Sequence, residues 1–198
     1  MKSLDRIYLL FTTLLASYQV VQGIEGMGTM AIACYTIAFG ILIIACLLLI
    51  ILGLDVLNAP MVVIISTLIP TSLALGLVSE YIPGILIPYG VFIVIGVATI
   101  ILTRLVIKDR FGVIVLPIVH GVAGLTITLL PVFLAFQREV PAGFSLVGLG
   151  GMLIGVGGVL LSLLKTGKPL LSRQKILSVF PILLFLTTAA FVTGFLFV

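Results

Sequence analysis

The sequence predicts an all-α membrane protein with seven transmembrane helices. Three observations lead there. Of 198 residues, 62% are apolar and only 8% are charged, against about 45–50% and about 25% in an average soluble domain. The ten basic and six acidic residues are confined to short stretches between long charge-free runs. Those runs, 7–24, 26–54, 56–79, 81–103, 111–137, 140–164 and 176–198, are 18 to 29 residues long. A helix needs roughly 20 apolar residues to cross about 30 Å of hydrocarbon, so each run holds one crossing. A barrel would instead show segments of about 10 residues alternating apolar and polar. The chain reads as one membrane domain, 1–198, with no soluble domain.

Trimmed by their turn residues, the expected helices are about 7–24, 28–54, 60–79, 84–103, 112–137, 143–164 and 176–198. The first is the least apolar, carrying Thr12, Thr13, Ser17, Tyr18, Gln19 and Gln22. Lys2 and Arg6 precede it, but no A-x-A cleavage site follows closely, so it is expected to stay as a span. The second ends at Asp55, and Asn58-Ala59-Pro60 starts the third. Tyr81-Ile82-Pro83-Gly84 separates the third from the fourth, and Glu139 to Gly143 the fifth from the sixth. Thr166-Gly167-Lys168-Pro169 opens the longest inner loop. Pro70, Pro117, Pro131 and Pro181 fall inside spans, where each frees the carbonyl four residues earlier. The fifth span holds two of them and is expected to be the most distorted.

Seven crossings sort the basic residues nine to one. Lys2, Arg6, Arg104, Lys108, Arg110, Lys165, Lys168, Arg173 and Lys175 share one side, and Arg138 stands alone on the other. Basic loops stay in the cytoplasm, so the N-terminus is expected inside and the C-terminus outside. The expected location is a cell membrane, that of a prokaryote. The outer loops each carry one acid, Glu25, Glu80 and Glu139. The positive charge therefore anchors the chain to the lipid bilayer, and no nucleic acid partner is implied.

Seven spans also fit a parallel repeat of three helices, a linker helix and three more, a plan used by some transporters. Shifting spans one to three by 111 residues onto spans five to seven needs no gap, and pairs Pro70 with Pro181 and Gly40 with Gly151. In so apolar an alphabet those matches alone establish no repeat.

Three sets of residues are candidates for function. Tyr18, Gln22 and Glu25 line one face of the first helix, with Gln19 on the neighbouring row. They form either a ligand-binding wall or a polar helix end at the membrane surface. His120, the only histidine, lies ten residues past Arg110, about 15 Å into the membrane. It is either a structural hydrogen-bonding group, for instance to a proline-freed carbonyl, or a proton or ligand site. Gly148, Gly151, Gly155 and Gly158 step by three and four residues along the sixth helix, a stripe on which another helix can pack closely. That helix belongs to this chain, to a second copy or to another membrane protein. Cys34 and Cys46, about 18 Å apart along one helix, are too far apart for a disulfide.

The chemistry of an enzyme is not expected. There is no HExxH, no second histidine for haem, no lysine in the last span for retinal and no aspartate cluster for lipid-phosphate transfer. No metal or other cofactor is implied. The sequence therefore points to a non-catalytic membrane subunit packing laterally against partners. The alternative is a small transporter whose site lies between the polar face of the first helix and the kinked fifth.

Overall fold

A computed structural model describes residues 1–107, 111–165 and 172–198. Among these the chain is an all-α membrane protein of seven helices: α1 (Ser3–Gln22), α2 (Thr29–Leu52), α3 (Pro60–Tyr81), α4 (Leu86–Leu102), α5 (Phe111–Phe136), α6 (Ser145–Lys165) and α7 (Arg173–Phe195). Each falls where a charge-free run was expected. Lys108, Arg110 and the Thr166–Pro169 turn lie outside the described residues.

Five stretches are long and apolar enough to cross a membrane: Thr29–Leu52, Pro60–Tyr81, Pro83–Val106, Ile114–Phe136 and Gln174–Phe195. The apolar stretch Ala142–Gly158 is shorter. Helix α1 is not among the five, in keeping with its threonines and glutamines. It begins with the Asp5 carboxylate accepting the Lys2 backbone N–H at 2.7 Å, which satisfies a helix-end donor.

The helices form a closed ring in the order α1, α2, α3, α5, α6, α7, and back to α1. Helix α4 sits outside, on α3 and α5. Specific contacts show sequence neighbours in the ring running antiparallel, while the seams α3–α5 and α7–α1 join parallel helices. Gly28 meets Glu80 and Tyr35 meets Gly76 between α2 and α3. Gly148 meets Val132 and Gly151 meets Ile127 between α5 and α6, while Gly150 meets Phe191 and Gly157 meets Leu183 between α6 and α7. The ring closes where Phe185 of α7 lies 5.9 Å from Tyr8 and 6.1 Å from Phe11 of α1, ring centre to ring centre. Lys2, Arg6, Arg104 and Lys175 come to one end of the bundle, the basic end. Glu25, Glu80 and Glu139 come to the other, the acidic end.

The ring has an internal pattern. Exchanging α1 with α5, α2 with α6 and α3 with α7 turns every ring contact into another ring contact. The 111-residue shift carries α1, α2 and α3 onto 114–133, 140–163 and 171–192, close to the bounds of α5, α6 and α7. Burial agrees at some matched positions, such as Ala16 with Ile127 and Leu77 with Thr188, and differs at others, such as Ala38 with the exposed Leu149 and Thr67 with the exposed Ser178. Pro70 of α3 and Pro181 of α7 fall at matched positions. The correspondence between the halves thus rests on the order of the ring contacts.

The interior is filled. Phe195 is the hub at the acidic end, with Tyr35 at 4.8 Å, Phe144 at 6.1 Å and Phe39 at 6.2 Å between ring centres. Tyr81 adds to the cluster through Phe144, at 5.5 Å. Leu9, Ala16, Leu73, Ala74, Ala123 and Ile127 continue the same core toward the basic end. Since lipid is as apolar as these side chains, close packing rather than water exclusion holds such a core together.

Candidate functional site

The α1 patch divides in two. Tyr18, Gln22 and Glu25 share a face as expected, and Gln22 Nε2 donates to the Tyr18 hydroxyl at 3.4 Å. All three are exposed and point away from the bundle, so they line no interior wall. The cause is rotation about the helix: Leu9, Thr12, Ala16 and Gln19 take the inward stripe, and the Tyr18 row is left outside.

Gln19 alone of the patch is buried. Its Nε2 donates to the Gly23 carbonyl at 2.9 Å, and its Oε1 has no partner. With Tyr35 and Phe39 it lines a cavity of about 10 Å³ between α1 and α2, room for about one water. The Tyr35 hydroxyl is likewise buried without a partner, as are the hydroxyls of Thr187 and Thr188 on α7. These oxygens sit on the inner faces of α1, α2 and α7.

Two participants were not singled out in the sequence. Tyr35 lies flat on Gly76, where a Cβ would meet its Cε1 at 2.5 Å. Glu80 is expected from the sequence as an outer-loop acid, part of an acidic rim with Glu139 near the first helix. Its Oε2 accepts the Gly28 N–H at 2.8 Å, tying the end of α3 to the start of α2. A carboxylate there also complements the positive end of the α2 dipole. The signal was the exposed N-terminus of α2, which begins on Gly28 with no side-chain cap of its own.

His120 is half-buried on α5, far from Tyr18 in the ring order. Its Nδ1 lies 3.2 Å from the Leu116 carbonyl. A carbonyl only accepts, so Nδ1 carries the proton in this contact. The acceptor is therefore the residue before Pro117, not the carbonyl of residue 113 that Pro117 frees. The structure brings His120 together with none of Tyr18, Gln19, Gln22 or Glu25.

The glycine stripe of α6 is used in part. At Gly148 a Cβ would meet the Thr128 carbonyl oxygen at 2.5 Å, and at Gly151 Thr128 Oγ1 at 2.8 Å, so both seat α6 against α5. Gly155 and Gly158 have nothing within 4 Å and are exposed. Two glycines off the stripe, Gly150 and Gly157, seat α6 on Phe191 and Leu183 of α7. Because α6 has a neighbour on each side, its small residues are needed in two rows rather than one.

Cys34 and Cys46 are free and buried. Among the described residues no three of His, Cys, Asp and Glu gather as metal ligands would. Comparison with protein-family models, with curated proteins and with solved structures gives no match. The fold and its contacts thus define a class, a multi-pass all-α membrane protein, and the functional reading rests on geometry.

Proposed function

We propose that this chain is a non-catalytic membrane subunit, with all seven helices crossing one bilayer and the N-terminus cytoplasmic, that works by packing laterally against a membrane partner. The observation carrying this is the difference between the two equivalent seams of the ring. The α3–α5 seam is covered by α4, where Val119 lies under Gly96. At the α7–α1 seam the 111-residue shift sets Tyr8 in place of Val119, Phe11 in place of Val122, Tyr18 in place of Leu129 and Gln22 in place of Phe133. Among the described residues no further helix lies over this seam as α4 lies over the other, and Phe11, Tyr18 and Gln22 are exposed. A face with aromatic rings and a hydrogen-bonded Tyr–Gln pair suits a protein helix better than lipid, since side-chain hydrogen bonds join helices within membranes.

The test is photocrosslinking in native membranes, with a benzophenone amino acid at Phe11 or, as control, at Ile87 on the outward face of α4. The expected result is a discrete protein adduct from position 11 and lipid adducts alone from position 87. Lipid adducts alone from both positions would remove the reading.

A small transporter is the second reading. It is favoured by the matching order of ring contacts in α1–α3 and α5–α7 and by the unpartnered oxygens of Gln19, Tyr35, Thr187 and Thr188 facing inward. A transporter must open this interior to water. Cysteine placed at Thr188 would then react with a membrane-impermeant thiol reagent, whereas in a permanently packed subunit it stays unreactive.

A further inference from the structure

Helix α4 meets α5 closely at mid-helix, where a Cβ on Gly96 would reach Val119 Cγ2 at 2.5 Å. Toward the acidic end α3, α4 and α5 leave between them a groove of about 440 Å³, within the range of roughly 300–1,000 Å³ of ligand sites. Its walls are Val78 of α3, Tyr89 of α4, and Val122, Leu125, Leu129 and Phe133 of α5. We propose that this groove holds one acyl chain of a membrane lipid from the leaflet at the acidic end.

Length, width, opening and polarity all point to that occupant. From Val122 to Phe133 the groove follows α5 for about 16 Å, close to half of the roughly 30 Å hydrocarbon core and so one leaflet deep. A helix about 10 Å wide and that long fills on the order of 1,200 Å³, far more than the groove provides. Leu125 and Leu129 are each 60% exposed and Phe133 is 56% exposed, so the groove opens sideways, where the bilayer presents hydrocarbon.

Tyr89 and Thr126 bring hydroxyls to its walls, and both are satisfied by protein. Thr126 Oγ1 donates to the Val122 carbonyl at 2.9 Å, so in its 2.9 Å contact with the Tyr89 hydroxyl it accepts. Both protons are used within the protein, and the wall is apolar to an incoming chain. The site is separate from the α1–α7 face proposed above and does not depend on it.

The full chain is reconstituted in phosphatidylglycerol and phosphatidylethanolamine vesicles doped with a phospholipid carrying a diazirine on one acyl chain. One probe places the diazirine near the ester, a second near the terminal methyl. After irradiation, peptide mapping is expected to find the shallow probe on Ile82 and Phe133 and the deep probe on Val122 and Leu125. Leu125→Trp, which fills the groove, is expected to lose the label, and Ile87→Trp, on the outward face of α4, to keep it. Label spread evenly over the lipid-facing helices of the unmutated chain would overturn the proposal, as would unchanged labelling in a folded Leu125→Trp. The depth pattern needs no variant, so the test survives a substitution that fails to fold.

Discussion

The ring of Tyr35 rests directly on the backbone of Gly76, and this contact sets how closely α2 and α3 approach. A Cβ at position 76 would lie 2.5 Å from Tyr35 Cε1 and 2.9 Å from Cζ. Tyr35 is held from the other side by Phe195, so it has little freedom to retreat. Gly76→Ala is therefore expected to destabilise the bundle by about 1–3 kcal/mol, the usual cost of overpacking. Thermal unfolding in a mild detergent measures it, and an unchanged midpoint would show that Tyr35 can move aside.

The Tyr35 hydroxyl has the opposite character. It is buried with no hydrogen-bond partner, and removing a buried polar group that is unpaired relieves a desolvation cost of about 1–3 kcal/mol. Tyr35→Phe is expected to leave stability unchanged or raise it, whereas Tyr35→Ala costs about 3–5 kcal/mol through the cavity it opens. Loss of stability in Tyr35→Phe would mean that a bound water, or a substrate under the transporter reading, satisfies the hydroxyl.

Glycines of α6 are expected to separate into two groups. Gly151→Val drives a side chain into Thr128 and Ile127 and is expected to cost about 1–3 kcal/mol or more. Gly155→Ala meets nothing within 4 Å and is expected to be neutral, or stabilising by roughly 0.5–1 kcal/mol through helix propensity. Parallel unfolding curves decide this. Equal losses at both positions would reveal a partner on the Gly155 side.

Arg138 offers a gain. It ends α5 with φ of 61°, and the following Glu139 N–H bonds the Leu134 carbonyl at 3.0 Å, in the manner of a left-handed helix cap. An L side chain in that region costs roughly 1–2 kcal/mol. Arg138→Gly is expected to recover much of it, seen as a higher unfolding midpoint. Arg138 is the lone basic residue at the acidic end, so Arg138→Gly also sharpens the charge asymmetry.

Charge positions made the seven helices legible because a charge inside hydrocarbon is so costly. The expected 60–79 and 84–103 became Pro60–Tyr81 and Leu86–Leu102, the latter continued by a wider π turn from Thr103 to Ile107. The facing of the helices was not legible. In α2, Ile37 is exposed and its neighbour Ala38 buried, yet both are apolar, so no amphipathic pattern marks the inner side. The same uniformity hid the turn of α1 that buries Gln19 and exposes Tyr18. Tyr35 carries no signal of its own in the sequence, because only the pairing of α2 with α3 places Gly76 beneath it. The ring order itself depends on which seams interlock, and that order is carried by side-chain shape rather than by polarity.

Both functional readings rest on the ring closing through α1 and α7 with α4 outside. Oxidative crosslinking of paired cysteines in native membranes tests this most directly. Cysteines in place of Phe11 and Phe185 are expected to join within one chain, whereas cysteines in place of Phe11 and Val94, on the outward face of α4, are not. A crosslink from position 11 to position 94 within one chain, with none to position 185, would contradict the ring and both readings built on it.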